Sequence, residues 1–154
     1  MAVGSTTNGE GYWLAGADGG VFNFGDARFF GSLSGTHLAV PIVAISRTAD
    51  NGGYLLAGAD GGVFAFGGAG FYGSLGAIDL DRHIVGIAAT PDGKGYWIVV
   101  ANGAVSAFGD AKSFGSLAAS NTTRIVGMVA DADIGYRLIT AQGNAIAFGT
   151  TPTG

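Results

Sequence analysis

The chain has 154 residues, enough for one domain or one segment of a larger assembly. It holds 30 glycines and no cysteine, which excludes a disulfide framework and a thiolate metal site; the glycines follow no collagen-like triplet. Only 12% of residues are charged, the formal net charge is -4, and no Lys/Arg cluster occurs, so the phosphate neutralisation that nucleic-acid binding needs is missing.

Taken in order, the chain repeats itself. Met1 to Thr7 has neither the basic n-region nor the apolar h-region of a signal peptide. Strand a of the first repeat is expected over Val3 to Thr6, followed by the turn Asn8-Gly9 and strand b from Tyr12 to Ala17. The turn Asp18-Gly19-Gly20 leads to strand c, Val21 to Phe24, and to a fourth strand d, Arg28 to Leu33. The second repeat runs from Ile42 to Leu75, with turns at Asp50-Asn51-Gly52 and Asp60-Gly61-Gly62. The third gives strands Ile84 to Thr90, Tyr96 to Ala101, Ala104 to Phe108 and Lys112 to Leu117. Its turns are Pro91-Asp92-Gly93-Lys94, where Pro fixes φ and Gly supplies a positive φ, and the hairpin pair Asn102-Gly103. The fourth starts at Ile125, turns at Asp133-Ile134-Gly135 and Gln142-Gly143, and has strand c from Ala145 to Phe148.

The Gly-Tyr pairs starting at Gly11, Gly53, Gly95 and Gly135 are 42, 42 and 40 residues apart, and Phe24, Phe66, Phe108 and Phe148 keep the same spacing. A fixed period in this range marks a repeat architecture. Strand b is apolar on both faces, as in Tyr12-Trp13-Leu14-Ala15, so each sheet needs a covering layer on both sides. No helical period supplies one. Sheets stacked radially on each other do. The fold class is therefore all-β: a β-propeller of four roughly 42-residue blades, as a four-bladed ring or half of an eight-bladed ring. The blades are expected at 1–41, 42–83, 84–124 and 125–154, in a single repeat domain whose last blade lacks its outer strand. Ala44, Gly86, Ala88, Ala89 and Gly127 on strand a suit crowding near a central axis. A β-trefoil has three units, a solenoid rung is shorter, and a small transmembrane barrel needs longer strands with a polar lumen face. No apolar run reaches membrane-spanning length, and no membrane insertion is expected.

The run Ile84-Val85-Gly86-Ile87-Ala88-Ala89-Thr90-Pro91-Asp92-Gly93, then Gly95-Tyr96-Trp97 and Asn102-Gly103, resembles a blade of the WD-repeat and YVTN-type β-propellers. Gly-Tyr-Trp, Asp-Gly-Gly-Val-Phe-x-Phe-Gly-Asp-Ala and Phe-Tyr-Gly-Ser also resemble tandem repeats of secreted and cell-wall-associated actinobacterial proteins, where they often accompany a separate catalytic domain. The Trp-Asp dipeptide of WD repeats is absent, with Phe-Gly in its place. The resemblance implies the architecture and an extracellular or cell-wall-associated setting.

No nucleophile elbow, His-Glu-x-x-His or phosphate-cradling Gly-Lys-Ser/Thr motif occurs, so no catalytic residue, metal or cofactor is assigned and the chain reads as a non-enzyme. His37 and His83 lie in linkers at non-equivalent positions; Asp79 and Asp81 beside His83 read as a solvated loop. The functional expectation is a binding module for glycan or a protein partner, the alternative a structural assembly or spacer repeat. Its candidate ligand-binding residues are the b–c turn positions Asp18, Asp60, Asn102 and Gln142, with Trp13, Trp97 and Arg137, whose one equivalent position is Leu55 in the second repeat. A Trp with a polar rim can stack on a sugar ring, whereas packing between blades is the structural use of the same residue. An eight-bladed ring made of two chains, a homodimer, suits the Gly/Ala-rich strand a better than a four-bladed monomer.

Overall fold

The computed structural model describes residues 2–33, 35, 41–48, 50–75, 84–90, 92–114, 124–131 and 135–149. Twelve strands among them form four antiparallel three-stranded sheets. Sheet one holds β1 (Ala2–Ser5), β2 (Gly11–Ala15) and β3 (Val21–Gly25). Sheet two holds β4 (Ile42–Arg47), β5 (Gly53–Gly58) and β6 (Val63–Gly67). Sheet three holds β7 (Ile84–Ala89), β8 (Gly95–Val100) and β9 (Val105–Gly109). Sheet four holds β10 (Ile125–Asp131), β11 (Gly135–Thr140) and β12 (Ala145–Gly149). The architecture is an all-β propeller of four repeated blades.

The sheets pack in sequence order by one repeating rule. The Trp13 face of sheet one, with Ala15 and Val21, lies against Ile45, Tyr54, Leu56, Phe64 and Phe66 of sheet two. Leu55, Ala57 and Val63 on the other face of sheet two meet Ile87, Tyr96, Ile98 and Phe108 of sheet three. Trp97, Val99 and Val105 then meet Met128, Tyr136, Leu138 and Phe148 of sheet four. We call the Trp-type side of a sheet its rear face and the Tyr/Phe side its front face. Every residue of β5 and β8 is buried, because these strands are covered from both sides. That is the outcome the doubly apolar strand b demands.

The innermost strands adjoin one another, β1 to β4, β4 to β7 and β7 to β10. Together they line one open axial groove of about 240 Å³. Ala44, Gly86 and Gly127 sit there, as crowding requires, beside the bulkier Ile45, Ile87 and Met128. β4, β7 and β10 each carry a register irregularity opposite strand b, between Ile42 and Ala44, Ile84 and Gly86, and Ile125 and Gly127. The residues passed over, Val43, Val85 and Val126, all line the groove. A β-bulge bends its strand and re-aims side chains in this way.

One expectation needs correction. Strand d is not a strand where it is described: residues 28–33, 69–75 and 112–114 are irregular. Their backbone groups are taken by side chains instead of a ladder. The Trp13 indole donates to Arg28 O at 2.6 Å and the Trp97 indole to Lys112 O at 2.7 Å. Phe30 N–H donates to the Tyr54 hydroxyl at 3.0 Å, and Leu33 N–H to Gly19 O at 2.8 Å. Gly31 and Gly73, at φ +124° and +129°, break the extended path. Among the described residues each blade thus has three strands; residues 115–117 of the third expected strand d, and residues 150–154, on which the missing outer strand of the last blade was judged, lie outside them.

The end faces bear on the choice between a four-bladed ring and half of an eight-bladed one. In a closed four-bladed ring the front face of sheet one would cover the rear face of sheet four. Both are exposed: Val3 is 65% accessible, Phe22 56% and Val129 52%. The four blades form an open arc.

Candidate functional site

The four b–c turns share one backbone geometry. Gly16 N–H donates to Gly20 O at 2.8 Å, Gly58 N–H to Gly62 O at 2.9 Å, Val100 N–H to Ala104 O at 3.0 Å and Thr140 N–H to Asn144 O at 2.8 Å. Three of them add a side-chain lock. Asp18 Oδ1 accepts from Gly20 N–H at 2.9 Å, Asp60 Oδ1 from Gly62 N–H at 3.0 Å, and Asn102 Oδ1 from Ala104 N–H at 3.0 Å. This is the Asx turn, in which a short polar side chain imitates a backbone turn. The Gln142 side chain is one carbon longer, and in that turn Thr140 Oγ1 accepts from Asn144 N–H at 3.0 Å instead.

The first three turns are also tied to the start of the next blade. Ile42 N–H donates to Ala17 O at 2.9 Å, Ile84 N–H to Ala59 O at 3.1 Å and Ile125 N–H to Ala101 O at 2.8 Å. The turns therefore form one continuous rim. Asp18 and Gln142 are exposed on it, and Asp60 and Asn102 are half-buried. His37, Asp79, Asp81 and His83 lie outside the described residues.

The equivalent position Trp13, Leu55, Trp97 and Arg137 is not part of this rim. Trp13 and Trp97 are buried in the rear faces of their sheets, at 0% and 3% exposure. Trp13 packs on Tyr54 with ring centroids 5.7 Å apart, and Trp97 on Tyr136 at 5.3 Å. Their sugar-stacking role is thereby corrected: no ring face is open to a ligand, and each indole N–H is already bonded within its own blade. Arg137 is exposed because it lies on the uncovered rear face of sheet four. Leu55 at the same position is buried between sheets two and three, so the four residues share no open surface.

The opposite rim carries a second polar constellation that residue types alone did not single out. At each described a–b turn a threonine hydroxyl is the hub. Thr6 Oγ1 donates to Asn8 Oδ1 at 2.7 Å, Thr48 Oγ1 to Asp50 Oδ1 at 2.6 Å and Thr90 Oγ1 to Asp92 Oδ1 at 2.7 Å. Asn8 Nδ2 also donates to Asp26 Oδ2 at 2.6 Å. In the third repeat both partners are carboxyls. The hydrogen bond from Asp110, with those from Lys94 N–H and Thr90, holds Asp92 down at about 2, while Asp92 pushes Asp110 up. The sequence signal was Phe-Gly-Asp at 24–26 and 108–110 against Phe-Gly-Gly at 66–68. Among the described residues no group of three or more His, Asp or Glu side chains converges as a metal centre would require.

The end of the stack at sheet one is apolar. Val3, Tyr12, Phe22 and Phe24 are exposed together on the front face of sheet one. They are register partners or neighbours: Val3 faces Leu14, Leu14 faces Phe22, and Tyr12 faces Phe24. Tyr12 and Phe24 stack at 4.9 Å. Residue type gives no warning, because Tyr54 and Leu56 at the same positions are fully buried. Phe29 and Phe71, exposed at matching places in successive repeats, add an outer apolar ridge.

No protein-family model matches the chain, and no curated protein matches it. Among solved structures it is similar to the β-propeller domain of Cps50 (Swd1) from Myceliophteria thermophila, with a TM-score of 0.64 and 9% sequence identity. The match covers 98% of this chain and 53% of that one, so the chain spans about half the length of that propeller. At this identity the likeness is one of fold: the chain is built as a β-propeller arc.

Proposed function

We propose that this chain is a non-catalytic interaction module that meets its partner on the rim of b–c turns. One observation carries the reading: four turns of one backbone hydrogen-bonded geometry present three kinds of polar side chain, Asp18 and Asp60, Asn102, and Gln142. A rigid scaffold with variable tips is how repeat folds place recognition. Carboxylate and amide groups on such a rim suit hydrogen bonding to sugar hydroxyls or to a protein surface. A cell-wall glycan is the ligand that fits the extracellular setting implied by the repeat resemblance. With Trp13 and Trp97 inside, recognition rests on the polar rim.

The test is a glycan array with soluble peptidoglycan fragments, using the wild type and a chain with Asp18, Asp60, Asn102 and Gln142 all changed to alanine. Retained glycan that is lost in the variant, at unchanged circular dichroism, supports the rim. Binding that survives the variant overturns it. A second reading, an assembly unit without a small-molecule ligand, is favoured by the uncovered apolar face of sheet one.

A further inference from the structure

The front face of sheet one repeats faces that are buried elsewhere in the same molecule. Tyr12, Leu14, Phe22 and Phe24 occupy the positions of Tyr54, Leu56, Phe64 and Phe66, which pack on the rear face of the preceding sheet. Sheet four has the complementary uncovered surface. Its rear face carries Val129, Arg137 and Ala147 in one cross-strand row, and Ile139 and Ala145 in the next. Val129, Arg137, Ala145 and Ala147 are exposed and Ile139 is half-buried. An exposed apolar patch of this kind marks a surface that something covers.

We infer that the front face of sheet one is covered by the rear face of sheet four from a second copy of this chain, head to tail. The same contact made twice closes two arcs into one eight-bladed ring. Three observations select this occupant. The interface that sheets one to four already make is continued without a new kind of contact. The two uncovered faces are the two halves of that interface. The arc corresponds to 53% of a known propeller, so two copies complete about one ring.

The contact has a specific centre. Inside the molecule the Trp position of one sheet meets the Tyr of the next, Trp13 with Tyr54 and Trp97 with Tyr136. The same rule places Arg137 of one copy against Tyr12 of the other. A guanidinium over a Tyr ring is an attractive cation–π pair, and arginine is well suited to it because its planar charge is weakly hydrated. This inference stands on the sheet faces and is independent of the b–c rim.

The test is sedimentation velocity of the full chain across the micromolar range, with multi-angle light scattering for mass. A species of twice the 15.3 kDa chain mass is expected. Tyr12→Arg, which sets two guanidinium groups against each other, and Arg137→Glu, which sets a carboxylate over the Tyr12 ring, should each give a folded monomer, because each spoils both junctions of the ring. Mixing the two variants leaves one intact junction and should restore a weaker dimer, which a symmetric face-to-itself pairing would not do. Arg137→Trp, which copies the buried junctions, should tighten the wild-type dimer by roughly tenfold. A wild-type monomer throughout, growth into open polymers, or a dimer indifferent to Tyr12→Arg would each overturn the inference.

Discussion

The Tyr54 hydroxyl donates to Gly31 O at 2.5 Å and accepts from Phe30 N–H at 3.0 Å, so one phenol of sheet two holds two backbone groups of the preceding repeat. Tyr96 does the same, accepting from Tyr72 N–H at 3.0 Å and donating to Gly73 O. The latch replaces the strand d ladder.

Removing the hydroxyl strands both backbone groups. Tyr54→Phe should destabilise by about 1–3 kcal/mol, the range for leaving a buried polar group without its partner. Tyr12→Phe, on the open face, should be close to neutral. Urea unfolding of both variants checks the contrast. The latch also sets an alkaline limit. Burial raises the pKa of Tyr54 and Tyr96 above the ordinary 10.0. Protons are thus held more tightly in the folded chain, so this stabilisation is complete below pH 10 and is lost as pH rises further. Thermal melts between pH 8 and 12 should show it, and the loss should be smaller in Tyr54→Phe.

Turn glycines outweigh turn acids. Gly61, Gly103 and Gly143 have φ of +96°, +92° and +90°, where a side chain is strained. A Cβ on Gly61 would lie 2.6 Å from Leu75 Cβ, whereas one on Gly143 meets nothing within 4 Å. Gly143→Ala should therefore cost about 1–2 kcal/mol for the left-handed backbone alone, and Gly61→Ala distinctly more. Gly103→Val should cost stability as well. Asp60→Ala loses one hydrogen bond and should stay within about 1 kcal/mol. Melting temperatures in the order Asp60→Ala above Gly143→Ala above Gly61→Ala are expected.

The Asp92–Asp110 pair makes one blade sensitive to pH. Asp92 is held at about 2 while Asp110 is pushed up, the Asp92 carboxylate being its main partner. The two shifts act in opposite directions. The contribution of Asp92 is present above 3.8 and lost as pH falls through about 2. That of Asp110 is present at low pH and lost as pH rises through its raised value, above which both groups are charged and repel. Asp92→Asn reproduces the Asn8–Asp26 hydrogen bond of the first repeat. It should raise Tm slightly at pH 7 and give no gain near pH 3, where one carboxyl already carries the shared proton. Equal gains at both pH values would show that repulsion is not the cause.

The period of the Gly-Tyr and Phe-Gly pairs, the turn glycines and the doubly apolar strand b were enough to derive a radial stack of blades. These are local and periodic signals: positive φ at a turn and apolar side chains on both faces of a strand leave their mark in residue type and spacing. What a residue type cannot carry is which copy of a face is covered. Trp13 and Trp97 read as packing between blades or as exposed platforms, and only the neighbouring sheet decided that both are inside. Tyr12 and Tyr54 are the same residue in the same motif, yet one is 43% exposed and the other 0%. The missing strand d was beyond sequence for a related reason. Arg28 to Leu33 has the composition of a strand, but its backbone partners are the Trp13 indole, the Tyr54 hydroxyl and Gly19, up to 24 residues away along the chain. Local pattern fixes what a segment is able to form; the long-range partner that takes its hydrogen bonds, or covers its face, is decided only by tertiary packing.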